Sequence, residues 1–212
     1  MANDEGAQVL SRKERERLAH RREIVEAAER VFARNGYHGS TVEQIAQEAE
    51  FAVGTLYNFF KGKEELYEEV LASLIEDALA LFGRQVACEA DPVAAVVALI
   101  ELRLAFLEEH KGFARVVFDT PLAEHSDPSL ALSPRCLALI EEARVAFTRI
   151  LERGVAAGVF VDVAAADIAV CLDGILNAFI AQWLRREPTE PLAERAAALR
   201  KIILSLILRN KS

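Results

Sequence analysis

Residues 40–66 read STVEQIAQEAEFAVGTLYNFFKGKEEL, and they hold two short helical patterns separated by a tight break. The first helix begins at Ser40 or Thr41, either of which can cap it, because an acidic or amide side chain stands three residues after each hydroxyl. Apolar residues then recur at helical spacing over 42–49, which predicts about two turns. A second short helix is predicted over 54–60. Two short helices after a supporting helix indicate a helix-turn-helix.

The sequence on either side of this motif also predicts helices. A supporting helix is expected from Ser11 to about Arg34, and Asn35-Gly36 ends it because glycine readily takes the left-handed conformation of a C-cap. A long helix is expected from Lys63 to about Val86. Capping residues and prolines divide the rest into helices over 92–110, 112–118, 134 to 154 or 158, 162 or 167 to 186, and 192–209.

No alternating strand pattern is present in the chain, so the predicted fold class is all-α. We expect an N-terminal three-helix helix-turn-helix DNA-binding domain over 1–62, with 1–10 frayed, and a larger helical ligand-binding and dimerisation domain over 63–212. Residues 119–133 read as a loop because they hold two prolines and several serines. No flexible linker precedes or follows the long helix, so we expect this helix to couple the two parts.

The composition excludes several protein classes. Hydrophobic residues make up 52% and charged residues 27% of the chain, which is globular rather than disordered. A net charge of −8 excludes a globally basic nucleic-acid coat but allows a local basic surface. The three cysteines, Cys88, Cys136 and Cys171, form no C-x-x-C pair, which predicts a reducing, cytoplasmic setting. Charged residues interrupt the apolar stretches and no signal-peptide pattern begins the chain, so no membrane span or export is expected.

The second short helix carries the groups that a helix in the major groove needs. Thr55, Tyr57 and Asn58 offer hydrogen-bonding or methyl groups, whereas Leu56 and Phe60 can face the supporting helix. Helix N-termini and hydroxyl groups suit phosphate contacts. Thr41 begins the first short helix and Lys63 begins the long helix, so both are predicted to flank the groove.

This stretch resembles the DNA-binding domain of the TetR/AcrR family of bacterial repressors. The resemblance rests on TVxxIAxxA at 41–49, on GTLYxxFxxKEEL at 54–66 and on FAxxGYxxS at 32–40. It covers roughly residues 20–70, and the helical remainder agrees with the family in length and order. The resemblance implies that DNA phosphates are contacted by Thr41, Tyr57 and Lys63.

The resemblance also implies base reading by residues 52–58, which include Ala52, Val53, Thr55 and Asn58. Glu50 stands where the family usually has glycine, so we expect a strained backbone there. Ala52 replaces a frequent serine or threonine and should therefore leave the second helix without a side-chain cap. These departures from the family pattern affect which operator sequence is bound, and they leave the predicted DNA-binding role unchanged.

A basic segment precedes the motif. Residues 11–22 hold six arginine or lysine residues and two glutamates, a net charge of +4. The segment either lies along the DNA backbone or forms a solvated helical face in which Glu16 pairs locally.

The helices at 163–186 and 192–209 are apolar on more than one face. A surface helix needs one apolar stripe, so a second stripe predicts burial by another layer. The two helices and their symmetry mates would form a four-helix interface, as is usual in this family. The predicted interface residues are Ile168, Leu172, Ile175, Phe179, Leu199, Ile203 and Leu206. The alternative is a monomer in which its own helices bury both stripes.

The remaining helices are expected to surround a pocket for a largely apolar small molecule. The candidate lining residues are Phe106, Phe113, Phe118, Phe147 and Trp183, and the candidate polar contacts are Arg103, His110, Asp173 and Asn177. For each of them, an ordinary core or surface position is the alternative. The site is expected beside the long helix that begins at Lys63.

Together these features predict a ligand-responsive transcriptional regulator, a repressor that binds double-stranded operator DNA as a homodimer. The four histidines lack the context of a catalytic or metal-binding motif, so no enzyme, cofactor or metal is expected. The alternatives are an effector-free architectural DNA-binding protein and a small helical enzyme. Asp119, Glu124 and His125 share one loop and would be the candidates if a metal were bound.

Overall fold

The computed structural model describes residues 11–118, 133–185 and 191–209, and regular structure within them is helical. The helices are α1 (Arg12–Asn35), α2 (Val42–Glu48), α3 (Val53–Tyr57), α4 (Lys63–Gln85), α5 (Pro92–Glu109), α6 (Lys111–Phe118), α7 (Pro134–Ala156), α8 (Ala165–Arg185) and α9 (Leu192–Ile207). Within the described ranges, strand-like pairing is confined to one antiparallel bridge between Phe160 and Leu208. The all-α prediction is confirmed. The predicted loop at 119–133, with Asp119, Glu124 and His125, lies outside the described residues except for Ser133.

The capping residues that the sequence predicted are in place. Thr41 caps α2, and its hydroxyl accepts from the Gln44 backbone N–H at 3.3 Å while the Gln44 side chain accepts from the Thr41 N–H at 3.0 Å. Ser40 does not cap α2, because its buried hydroxyl donates to the Gly36 carbonyl at 2.6 Å. Asp91 caps α5, with its carboxylate 3.0 Å from the Val93 nitrogen.

Contacts divide the chain into two compact units, Met1–Val70 and Leu71–Ser212. The boundary expected after residue 62 coincides with the start of α4, whereas the division by contacts falls inside α4. The core of the first unit is built from α1, α2, α3 and the first turns of α4. Its buried residues include Ile24, Ala28, Phe32, Ile45, Leu56, Phe60 and Leu66.

The second unit has a core formed mainly by α5, α7, α8 and α9. Trp183, Leu151 and Ile203 are each at most 2% exposed within it. Phe160 packs so closely on Gly154 of α7 that a Cβ added at Gly154 would collide with its ring. This contact fixes the path of the chain between α7 and α8.

Among the described residues, α8 is the helix that is long and apolar enough to cross a membrane by length and composition. The sequence reading expected no such segment. Several α8 side chains, including Leu172, Leu176 and Ile180, lie in the core of the second unit. Packing within the protein therefore covers one face of this apolar helix.

Candidate nucleic-acid interface

The turn between α2 and α3 has a strained backbone. Glu50 adopts a φ of 59°, in the left-handed region that favours glycine, as the sequence predicted. The next residue, Phe51, donates its N–H to the Ala46 carbonyl at 3.0 Å, which reverses the chain after α2. Ala52 then begins α3 without a side-chain cap, which was also predicted.

Helix α3 presents one polar, exposed face and one apolar, buried face. The Tyr57 side chain is 54% exposed, and Asn58 at the C-cap is exposed as well. Leu56 and Phe60 are at most 2% exposed, so they anchor the helix in the core of the first unit. The exposure of Tyr57 argues against a core role for its ring. The face available to a partner therefore carries a phenol and an amide.

The remaining predicted DNA contacts lie at different depths. Thr41 and Ala52 are exposed, whereas Val53 and Thr55 are half-buried. These residues all belong to the segment between the start of α2 and the end of α3. The residues predicted to read bases therefore lie on α3 and its two caps, Ala52 and Asn58.

Lys63 has a role that sequence reasoning missed. Its ammonium donates to the Tyr37 carbonyl at 2.9 Å and to the Ser40 carbonyl at 3.0 Å. The same nitrogen lies 4.4 Å from the centre of the Tyr37 ring, which is a cation–π distance. Lys63 thus ties the start of α4 to the loop that precedes Thr41. An ammonium has three donors, and the two carbonyls accept from two of them.

A second set of charges joins α1 to α2. Arg30 and Arg34 both contact the Glu48 carboxylate, at 2.8 Å and 2.5 Å. Hydrogen bonds from Arg34 and Arg30 lower the pKa of Glu48 from 4.5 to about 2. The carboxylate therefore stays ionised at any physiological pH and holds the C-terminal end of α2 against α1.

Comparison with known proteins agrees with this geometry. The sequence model described as "Bacterial regulatory proteins, tetR family" matches residues 24–70, which include α2 and α3. The transcriptional repressor KstR2 of Mycolicibacterium smegmatis is 31% identical over 162 residues, which cover 76% of this chain and 73% of that protein. The chain belongs to the TetR family.

Two further relatives define how far the likeness extends. A fatty acid metabolism regulator of Bacillus subtilis is 45% identical over 58 residues, but the match spans only 26% of this chain and 30% of that protein. The structure of FadR from Bacillus subtilis, in complex with stearoyl-CoA, superposes with a TM-score of 0.76 at 20% identity. It covers 87% of this chain and 97% of that one, which shows a shared fold over both units.

The second unit of this TetR-family chain brings three of the predicted polar residues together. The Arg103 guanidinium on α5 contacts the Asp173 carboxylate and donates to the Asn177 side-chain oxygen at 2.6 Å. Arg103 is 31% and Asp173 53% exposed, so the cluster lies where solvent reaches it. Through these contacts, polar side chains join α5 to α8.

The predicted aromatic residues occupy several environments. The ring centres of Phe106 and His110 lie 4.5 Å apart, and the Lys111 ammonium lies 4.8 Å from the Trp183 ring. Phe113, Phe147 and Trp183 are buried, whereas Phe118 is half-buried. Phe147 and Trp183 belong to the hydrophobic core, so the core alternative applies to them directly. Their role in binding an effector stays a prediction.

Four of the predicted interface residues lie in the core of the protomer. Ile168, Leu172, Leu199 and Ile203 are between 0% and 6% exposed in a single protomer. Their side chains pack into the core of the second unit, and their part in an interface stays a prediction. Ile175 and Phe179 are half-buried, and Leu206 is 54% exposed.

The exposed apolar surface of α8 and α9 includes the predicted Leu206 and further residues that were not predicted. Val170 is 63% exposed and Ile202 is 50% exposed, and both stand on the solvent side of their helices. Exposed Gly174 and Ala178 continue the line along α8 from Val170 at helical spacing. Sequence periodicity indicated two apolar faces but could not say which of them meets the core.

Proposed function

We propose that this chain is a ligand-responsive transcriptional repressor that binds a palindromic operator as a homodimer. In this proposal residues 1–62 form the DNA-binding domain, and residues 63–212 form the effector-binding and dimerisation domain. The observation that carries it is the exposed face of α3, where Tyr57 and Asn58 present hydrogen-bonding groups. Such groups serve a helix that lies in the major groove.

The residues divide into two roles. Thr41, Tyr57 and Lys63 contact phosphates, because a hydroxyl at a helix start, an exposed phenol and an ammonium all suit anionic oxygens. The α3 residues Thr55 and Asn58 read base edges, with Ala52 and Val53 offering apolar contact to thymine methyl groups.

Dimerisation is proposed through the exposed apolar surface of α8 and α9. Val170, Ile202 and Leu206 are each at least 50% exposed in one protomer. A second copy that covers them would bury the same patch twice, as a two-fold interface requires. Two recognition helices can then reach major grooves about 34–36 Å apart, one turn of B-DNA.

The effector is proposed to be an apolar molecule with a polar or anionic end. The polar end would meet the cluster of Arg103, Asp173 and Asn177, and the apolar part would meet Phe106 and Phe113. The stearoyl-CoA complex of FadR supports this chemical class because that protein shares the fold of this chain. Release from DNA requires only that the effector binds two arrangements of the dimer unequally.

The DNA proposal is tested by selecting preferred duplexes from a random DNA library and titrating them by fluorescence anisotropy. Tyr57→Phe should weaken binding by a similar factor for every duplex, since phosphate contacts carry no sequence information. Asn58→Ala should change the ranking of duplexes, by about 1–3 kcal/mol for each lost base contact. Equal weakening by both variants would show that Asn58 does not read bases. Sequence-independent binding by the wild-type protein would favour an architectural role.

The effector proposal is tested on the same operator with stearoyl-CoA, stearic acid and coenzyme A alone. Stearoyl-CoA or stearic acid should weaken operator binding by about 5–150-fold, the usual range of allosteric coupling, and coenzyme A alone should not. Phe106→Ala and Phe113→Ala should reduce this response. A full response in both variants would place the effector elsewhere.

A further inference from the structure

The first half of α1 extends beyond the core of the first unit. Buried residues of α1 begin at Ile24, and residues 11–20 are all exposed. About two and a half turns of exposed helix bury little apolar surface, so core packing does not account for this segment. Its most prominent property is charge. Residues 11–22 carry a net charge of +4 in a chain whose overall charge is −8.

This segment lies against both ends of the recognition helix α3. The ring of His20 is 5.1 Å from the ring of Phe51, which stands just before α3. The Arg17 guanidinium lies 5.8 Å from the centre of the Phe59 ring, which stands just after α3. Arg21 adds a hydrogen bond to the Phe59 carbonyl at 3.4 Å. Residues 17–21 of α1 are therefore held beside the helix proposed to read DNA, and residues 12–16 continue the same helix beyond these contacts.

Some of the charges in this segment are neutralised by neighbours. Arg21 pairs with Glu69 at 2.9 Å, and Arg12 pairs with Glu16 at 2.7 Å. Glu16 thus pairs locally, as one of the two sequence interpretations expected. Lys13 and Arg17 have no carboxylate within salt-bridge distance in the described ion pairs.

Lys13 and Arg17 share one stripe of the helix. They stand four residues apart, about 40° around the axis, on the stripe that continues to His20 and Arg21 and so to α3. Arg22, in contrast, is about 140° around the axis from Arg17. Two cations therefore extend outward from α3 in a line, while Arg22 points to a different side.

We propose that Lys13 and Arg17 bind the DNA phosphate backbone just outside the half-site that α3 reads. This inference rests on the proposed DNA-binding function and adds a contact surface to it. A duplex carries its charge on both backbones, so a stripe of cations beside the recognition helix suits the strand that flanks the groove. These contacts strengthen binding to any sequence and leave the sequence preference to α3.

The test is the salt dependence of operator binding for Lys13→Gln, Arg17→Gln, the double variant and Arg22→Gln as a matched control. Each phosphate contact contributes about 0.9 to the slope of log K against log salt concentration. Each single substitution should therefore lower the slope of a dimer by about 2, and the double variant by about 4. Arg22→Gln and the charge-preserving Arg17→Lys should keep the wild-type slope.

A second measurement separates this inference from the function on which it rests. The ratio of affinities for the operator and for a one-base variant should stay unchanged in all four glutamine variants. Circular dichroism should also be unchanged, because both side chains are exposed. The proposed phosphate contacts would be overturned if the double variant kept the wild-type slope, or if Arg22→Gln lowered the slope as much as the other substitutions do. A wild-type protein without sequence preference would instead overturn the proposed function.

Discussion

The Lys63 ammonium lies 2.9 Å from the carbonyl oxygen of Tyr37 and 4.4 Å from the centre of the Tyr37 ring. The two residues are separated by more than twenty positions, and the contact joins α4 to the loop between α1 and α2. The helix that presents Thr41 begins directly after this loop. Lys63 therefore positions a predicted phosphate contact in addition to offering one itself.

Replacing Lys63 with methionine should lower both stability and DNA affinity. Hydrogen bonds from a charged donor contribute about 1.5–3 kcal/mol when sheltered, and Lys63 is half-buried. We expect the free energy of unfolding to fall by about 1–3 kcal/mol, and binding to weaken for every duplex. Denaturant unfolding and anisotropy titrations measure the two effects, and Lys61→Met, at an exposed lysine, is the control. If DNA binding weakened while stability stayed unchanged, Lys63 would act as a phosphate contact and would not stabilise the fold.

Replacing Glu50 with glycine should raise stability. The left-handed conformation costs a side chain about 1–2 kcal/mol, and glycine avoids this cost but loses more chain entropy on folding. We expect the free energy of unfolding to rise by about 0.5–1 kcal/mol. The neighbouring Ala49→Gly, at a φ of −82°, should lower it instead. If both substitutions destabilised the protein, Glu50 would be held by contacts that outweigh its strain.

Local signals explain why so much of the fold could be predicted from the sequence. The caps at Thr41 and Asp91 act on residues two or three positions away, so short sequence windows contain them. The end of α3 is a case where such a window failed. The helix was predicted to reach Phe60 but ends at Tyr57, where the Asn58 and Phe59 N–H groups donate only three residues back, to the Thr55 and Leu56 carbonyls, in a tighter turn.

Long-range relationships were beyond the sequence. The partners of Lys63 are carbonyl groups of a distant loop, and backbone acceptors leave no trace in residue identity. The faces of α9 raise the same difficulty in another form. Ile202 and Ile203 are identical in chemistry and adjacent in the chain, yet one is 50% exposed and the other is fully buried. Only the placement of α9 against α5 distinguishes them.

The Glu48 carboxylate predicts a loss of stability in acid. Its pKa is about 2 in the folded protein and 4.5 ordinarily, so the folded state binds this proton less readily than the unfolded state does. The contribution is complete above pH 4.5 and is lost as the pH falls toward 2. Unfolding curves across this window should be less pH-dependent in Glu48→Gln than in wild type.

The arginine partners provide the control for this acid effect. In a protein with both Arg30→Gln and Arg34→Gln, adding Glu48→Gln should no longer change the pH dependence, because the groups that lower the pKa are gone. High salt should reduce the difference between wild type and Glu48→Gln, since exposed charges are screened. A Glu48→Gln protein with the wild-type acid transition would show that this cluster does not contribute to it.

Two positions on α9 separate the protomer core from the proposed dimer interface. Ile203 is fully buried in one protomer, whereas Leu206 is 54% exposed. Ile203→Glu should unfold the second unit, because an unpaired buried charge costs several kcal/mol. Leu206→Glu should leave each protomer folded but separate the dimer, since each copy would then place a charge in a mostly apolar contact. Circular dichroism measures folding, and light scattering after size-exclusion chromatography measures mass.

Leu137→Glu on α7 is the control for this experiment, because Leu137 is similarly exposed at 52% but lies outside the proposed interface. A Leu206→Glu protein that remains a dimer would show that copies of the chain meet on another surface, whereas a folded Ile203→Glu monomer would return Ile203 to the interface and contradict the core described here.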